Sequence, residues 1–220
     1  MLAPTVSFVG AMTRFSCCLP TWLSAVFAGL LPLLGGLALA GCHPAASSAP
    51  PVARYAAELR HSRAQQPQPS SYAATVGIYI DLRRPDTENR LFVLDLRTGR
   101  ALLAAPCCNG RLDRQGRVRY SNELNSCCSS RGLAWTSFDQ AYTGQFGRSY
   151  RLHGLGTGTT NLAARAVVLH GWRRVPASPE LVAGSLVRSW GCPAVAPTQL
   201  ANLSKYLRAQ AGRRVLVCLR

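Results

Sequence analysis

Residues Ala166-Val-Val-Leu-His170-Gly171-Trp172 and, further on, Arg188-Ser189-Trp190-Gly191-Cys192-Pro193-Ala194-Val195 constrain this chain more than any other stretch. The first is a continuous apolar run, the pattern of a strand buried on both faces. It stops at a histidine followed by a glycine, which delivers an imidazole to a sheet rim beside backbone that another group can approach closely. After a polar, Pro-interrupted excursion the chain returns with a cysteine between Gly191 and Pro193. Gly191 frees the backbone to turn, and Pro193 fixes the next φ angle. A thiol presented in such a turn, with a histidine near enough to take its proton, is a Cys–His nucleophile arrangement.

Strand signals dominate the region around this pair. Val76, Ile78, Ile80 and Leu82 alternate with the period of a half-buried strand. Leu91 to Leu96 is a fuller apolar run, and Thr98-Gly99 marks a turn before a strand over 100–105. Residues 106–132 are polar and rich in Gly, Asn and Ser, which reads as a long loop at one end of a sheet. Residues 134–138 and 149–153 are further strands, separated by a turn around Gly144 to Gly147. Ser178-Pro179-Glu180 starts a short helical segment. Pro197 opens the best helix, with Leu200, Leu203, Leu207 and Ala211 on one face and Gly212 as its stop. Residues 214–219 close the chain as a strand. The pattern predicts a mostly β domain over residues 72–220 with one or two helices on its flank.

Upstream the composition changes. Residues 1–42 carry Arg14 as their only charge, with an apolar stretch from Trp22 to Ala40 that ends in Leu39-Ala40-Gly41-Cys42. This is the layout of a secretory signal over 1–41, started from Met1 or Met12. The cysteine after Leu-Ala-Gly resembles a lipobox, in which Cys42 is lipid-modified and becomes the first mature residue. A plain transmembrane anchor fits less well, because Pro32 and Gly35-Gly36 interrupt the stretch. The protein is then expected in the periplasm, held to a membrane by its lipid. His43 offers no obvious inner-membrane retention signal, which favours the outer membrane. A mature N-terminal Cys42 bearing acyl chains would be visible by mass spectrometry. Residues 42–71, with Pro-rich ends, read as a tether holding a possible short surface helix over Arg54 to Arg63.

The chain carries 25 basic and 9 acidic residues, a net charge of +16, and all the basic ones except Lys205 are Arg. Such an excess points to anionic partners such as lipid headgroups or cell-wall carboxylates. Export removes nucleic acid from consideration, and no nucleic-acid motif is present. Nine cysteines are present. In an oxidising compartment Cys107, Cys108, Cys127 and Cys128 read as a disulfide clamp across the loop between them, worth about 3 kcal/mol on the entropic account. Bonding within an adjacent pair would strain the backbone, so cross-pairing is expected. Adjacent cysteines make poor chelators, and no metal or other cofactor is expected. Cys192 and Cys218 remain, either as a structural disulfide or as a nucleophile and a buried thiol.

His170-Gly171 followed by Ser189-x-Gly191-Cys192 resembles the L,D-transpeptidase catalytic domain, in its branch reading Ser-x-Gly-Cys-Pro-Ala. Supporting matches are Arg90 to Leu96, Tyr120-Ser121-Asn122, Ser129-Ser130, Arg151-Leu152 and Gly154-Leu155, so the resemblance covers roughly 76–218. It implies a β-sandwich or barrel fold and a cysteine nucleophile that forms a thioester acyl-enzyme from peptidoglycan stem tetrapeptides. An amine then resolves it as a cross-link, or water as a carboxypeptidase product. Cys192 is then the nucleophile and His170 its base. After Asp139 the only carboxylate is Glu180, so a backbone carbonyl must orient the imidazole, and the resemblance assigns that to Gly171. Ser189 would orient the site, and the amides around Gly191 and Cys192 would form the oxyanion hole. Arg188, Trp190 and His153 are candidates for substrate contact, Arg188 through a stem-peptide carboxylate. Trp190 stands where most members carry histidine, which leaves substrate preference and acyl acceptor open. The rival readings are a cell-wall-binding lipoprotein without catalysis and another thiol enzyme. Papain-like enzymes reverse the Cys and His order, and sortases separate them more widely.

Overall fold

The computed structural model describes residues 51–220, so the signal segment and Cys42 lie outside the described residues. Helix α1 (Val52–Ala64) leads into an antiparallel meander of β1 (Val76–Ile80), β2 (Leu91–Asp95) and β3 (Ala101–Ala105). After the cysteine-containing loop come β4 (Gly132–Thr136), the hairpin of β5 (Ala141–Gly144) and β6 (Gly147–Arg151), and the short β7 (His153–Gly154). The chain ends with β8 (Val168–Gly171), β9 (Ala194–Val195), α2 (Pro197–Arg208) and β10 (Val215–Leu219). Two mixed sheets result, in the orders β3-β2-β1-β10-β4-β7 and β5-β6-β8-β9. Among the described residues the fold is mostly β with two α-helices.

Alternation in the strands sorts side chains between two cores. Val76, Ile78 and Ile80 of β1 and Val215, Val217 and Leu219 of β10 face a main core. Tyr150, Leu169 and Val195 of the smaller sheet enter it, as do Leu200, Leu203 and Leu207 of α2. Pro197 occupies the first turn of α2, where its missing N–H costs nothing.

On the other face of the large sheet sits α1, and here the expected tether gives way to a packed layer. Tyr55, Ala56 and Leu59 share one helix face and are almost wholly buried against Tyr79, Phe92, Leu94, Leu216 and Cys218. The Tyr55 ring stacks on Tyr79 at 3.9 Å, and its hydroxyl donates to Asp81 Oδ2 at 2.7 Å. This cover explains why β1, expected to be half-buried, is buried along its whole length. Gly77 lets the helix come close, since a Cβ there would lie 2.9 Å from Leu59 Cδ1. The packed unit therefore begins near Val52 rather than Tyr72. Leu59→Ala should cost about 2–5 kcal/mol in a urea titration, the range for emptying a buried Leu site. A loss under about 1 kcal/mol would mark α1 as peripheral.

The disulfide clamp is not formed: Cys107, Cys108, Cys127, Cys128, Cys192 and Cys218 are all free thiols. Consecutive residues of extended chain point to opposite sides. Cys107 accordingly enters the main core, while Cys108 joins a small cluster with Val175, Leu186 and Ala194. Polar contacts tie the loop down instead. The Gly110 N–H donates to Ser129 Oγ at 3.0 Å and the Arg111 N–H to the Cys127 carbonyl at 3.0 Å.

Candidate active site

The two halves of the sequence pair meet because β8 and β9 run parallel, with His170 opposite Ala194 and Gly171 opposite Val195. Cys192 arrives just ahead of β9 in a tight turn. Gly191 has φ +107°, and a Cβ there would collide with the Cys128 carbonyl oxygen, so glycine is required on both counts. Ser189 Oγ closes the turn by accepting the Gly191 N–H at 3.1 Å and donating to the Cys192 carbonyl at 2.6 Å. Ser189 is thus occupied with backbone. The Gly191 amide is likewise spent, which corrects the expected pair of oxyanion donors. The Cys192 N–H makes no hydrogen bond among the described residues.

His170 is 2% exposed. Its Nδ1 lies 3.1 Å from the Gly171 carbonyl oxygen, so Nδ1 carries the proton and donates, and Nε2 is left as the acceptor. Phe146, in the β5–β6 turn, stacks on the imidazole at 4.2 Å, a contact that only the tertiary structure brings about. Phe146, Gly171, Trp172 and Leu200 border a cleft of about 670 Å³ on this side. The thiol does not bond the imidazole in this structure: Cys192 Sγ accepts from the Val168 N–H at 3.5 Å. Val168 and His170 are two residues apart, about 7 Å along the strand. Catalytic hydrogen bonds of a free enzyme are commonly looser than those of its complex.

The electrostatics describe a neutral resting pair. Burial pushes the Cys192 thiol up, opposed by the Val168 N–H and the Arg165 guanidinium. Burial also holds the His170 imidazole below its ordinary value, opposed by its bond to Gly171. No preformed thiolate–imidazolium pair follows, and His170 stays a neutral base at neutral pH. Burial raises Cys108 to about 11 and Cys218 to about 12. Cys218 belongs to the core beneath α1, whereas Cys192 packs against the main core, so the two are not joined.

Arg165 was not among the candidates read from the sequence. It donates to the Ser121 carbonyl (2.8 Å), Ser130 Oγ (2.6 Å) and the Cys128 carbonyl (2.6 Å), and Nη2 would sit 3.0 Å from a Cβ on Gly191. It ties the cysteine loop to the turn that carries Cys192 and sets a positive charge beside the thiol. Arg165→Gln should therefore raise the pH midpoint of Cys192 alkylation by iodoacetamide, read by peptide mass spectrometry. Arg165→Lys should restore part of the shift. An unchanged midpoint in Arg165→Gln would reduce the residue to scaffolding.

Three substrate-contact candidates fare differently. Trp190 is 86% exposed at the tip of the turn. Arg188 is not a free clamp, because its guanidinium holds Asp86 Oδ2 at 2.7 Å and Asn109 Oδ1 at 2.9 Å. His153 belongs to the large sheet, stacked on Trp135 at 4.3 Å with Nε2 3.0 Å from Gln140 Oε1. Trp135 packs on the α1 core, across that sheet from the core that Cys192 touches. His153 is not part of the Cys192 site. Asn109, also absent from the sequence candidates, accepts the Ser189 N–H on its carbonyl at 2.8 Å.

The family model for the L,D-transpeptidase catalytic domain matches residues 50–213. The chain belongs to that family. The match begins where α1 does, in accord with a helix that is part of the domain. Comparison with curated proteins finds no significant match. Among solved structures the L,D-transpeptidase domain is similar to the helical cell shape determining protein Pgp2 of Campylobacter jejuni, with 11% identity and a TM-score of 0.42, covering 68% of this chain and 48% of that one. It is also similar to the Ldtfm–avibactam carbamoyl enzyme, with 14% identity, a TM-score of 0.38 and coverage of 66% and 49%. An L,D-transpeptidase from Xylanimonas cellulosilytica gives 17% identity, a TM-score of 0.36 and coverage of 70% of each chain. The chain spans about half the length of the first two.

Proposed function

We propose that this domain is a cysteine-dependent acyltransferase acting on peptidoglycan stem tetrapeptides, with Cys192 as nucleophile. The observation that carries this is Cys192 held in the turn that leads into β9, the strand parallel to β8, whose His170 has its Nδ1 proton engaged by Gly171. As substrate binds, Nε2 takes the thiol proton and Sγ attacks the carbonyl of the third, L-centred residue. The oxyanion is met by the Cys192 amide. Collapse breaks the peptide bond, and the imidazolium returns its proton to the departing D-alanine amine. An amine or water then cleaves the thioester, giving a cross-link or a trimmed peptide. Exposed Trp190 offers a face for substrate beside the sulfur. Anchoring through Cys42 would place this chemistry at the cell wall.

The test is incubation of the protein with tetrapeptide muropeptides, followed by chromatography for free D-alanine and for dimers. Release with dimers marks a transpeptidase, and release without them a carboxypeptidase. Binding with no release, no dimer and no carbapenem adduct would favour the non-catalytic wall-binding reading.

A further inference from the structure

A second cleft, of about 760 Å³, opens beside the nucleophile turn and is lined by Leu82, Asp86, Arg90, Tyr120, Arg131 and Arg188 among others. Its floor is built on Arg90, which is 1% exposed. Arg90 Nη1 donates to Asp86 Oδ1 (2.6 Å) and Asn109 Oδ1 (2.8 Å), and Nη2 donates to the Leu82 carbonyl. Its Nε–H is left without a partner among the described residues, and so is the buried Tyr120 hydroxyl. The Arg131 guanidinium stands over the Tyr120 ring at 5.8 Å and makes no hydrogen bond among the described residues. Asp86 has no charge to spare for these donors. Burial opposes its ionisation, but Arg188 and Arg90 outweigh that and hold it below the usual carboxylate range.

Buried donors without acceptors cost free energy that a ligand can recover by supplying one. A carboxylate has lone pairs enough for a guanidinium and a phenol at once, and charge-assisted bonds are the stronger kind. The cleft is also coupled to the site already described. Asn109 Oδ1 receives both Arg90 and Arg188, and the Asn109 carbonyl receives the Ser189 N–H of the nucleophile turn. We infer that this cleft seats a carboxylate of a peptide ligand on Arg90, Tyr120 and Arg131, next to the turn that carries Cys192. Where that peptide is the stem being cleaved, the inference rests on the proposed function, and the cleft then selects stems whose side carboxylates are free over amidated ones.

The test is calorimetric titration of the full chain carrying Cys192→Ala, so that binding is read without turnover. The probes are a stem tetrapeptide with free side carboxylates, the same peptide amidated at them, and hexaglutamate. The free-acid tetrapeptide should bind at least about tenfold more tightly than the amide, and Arg131→Gln or Tyr120→Phe, added singly, should each remove most of that difference. Tyr120→Phe should not lower the melting temperature, since it deletes a buried hydroxyl that has no protein partner. Competition by the tetrapeptide alone identifies the stem as the source, whereas competition by hexaglutamate as well identifies acidic peptides generally. Binding that ignores both amidation and the two substitutions, or no binding of the free acid, overturns the inference. Carboxylate-dependent binding by the Cys192→Ala chain, together with no D-alanine release by the wild-type protein, would instead overturn the proposed function and leave this site standing.

Discussion

Cys192→Ala is expected to abolish D-alanine release from tetrapeptide muropeptides and to prevent any carbapenem adduct. None of the four buried thiols is placed to substitute. Cys107, Cys108 and Cys128 are buried in the loop, and Cys218 lies beneath α1. Without the sulfur no acyl-enzyme forms, and alanine fits the turn because it keeps the backbone and the Ser189 bonds. Cys192→Ser should be nearly as inactive. A hydroxyl is much harder to deprotonate than a thiol, and here the imidazole is steadied by a single backbone carbonyl rather than a carboxylate. Chromatography of released D-alanine and the intact mass after carbapenem exposure read both outcomes. Residual release above about 1% of wild type by Cys192→Ala would remove Cys192 from the reaction, since loss of a nucleophile ordinarily costs far more.

His170→Ala should lower the rate by about 10²–10⁴, the usual cost of a missing general base. His153→Ala should leave most of the activity, because His153 sits with Trp135 on the α1 side of the large sheet. The pH profile gives a second reading of the same claim. Burial depresses the His170 value, so the neutral base persists below the ordinary histidine range and the acid limb of activity should fall there. Burial raises the Cys192 value, so the thiol stays protonated through neutral pH and alkylation should keep rising into alkaline solution. The linkage for stability has the same sign as a depressed group. Neutral His170 contributes above its unfolded value, and that contribution is lost as the pH falls. Equal losses from the two histidine variants, or an alkylation midpoint well below the ordinary thiol range, would contradict this assignment.

Much of this was legible from short-range pattern. Alternating Val76, Ile78 and Ile80, the apolar run into His170, and Pro197 before three leucines at helical spacing each state a local geometry, and each became the element they predict. The requirement for glycine at position 191 could also be anticipated, because a turn that presents a side chain needs backbone freedom, and Gly191 does take a positive φ. What could not be read locally concerns partners far apart in the chain. Tyr55 lies 24 positions from Tyr79, yet their stacking turns an apparent tether into one layer of the domain. Helical spacing over Arg54 to Arg63 showed that a helix was possible, but not that an uncovered sheet face awaited it.

The same distinction runs through the site. A histidine at a strand end and a cysteine in a Gly-Cys-Pro turn could be named as a pair from composition and spacing. Two strand-end histidines were available, however. The sequence pattern favours His170 as the base and leaves His153 a place in substrate contact. The sheet to which each strand belongs removes His153 from the Cys192 site. Arg188 looked like a clamp for substrate because nothing local shows that Asp86, 102 positions away, already holds it. Arg165 carried no signal at all, since its three acceptors come from a loop 35 to 44 residues earlier. Residue type and period set which backbone forms and which groups can do chemistry. Burial, charge pairing and the nearest donor set which of those groups is free to do it, and these depend on neighbours that only folding supplies.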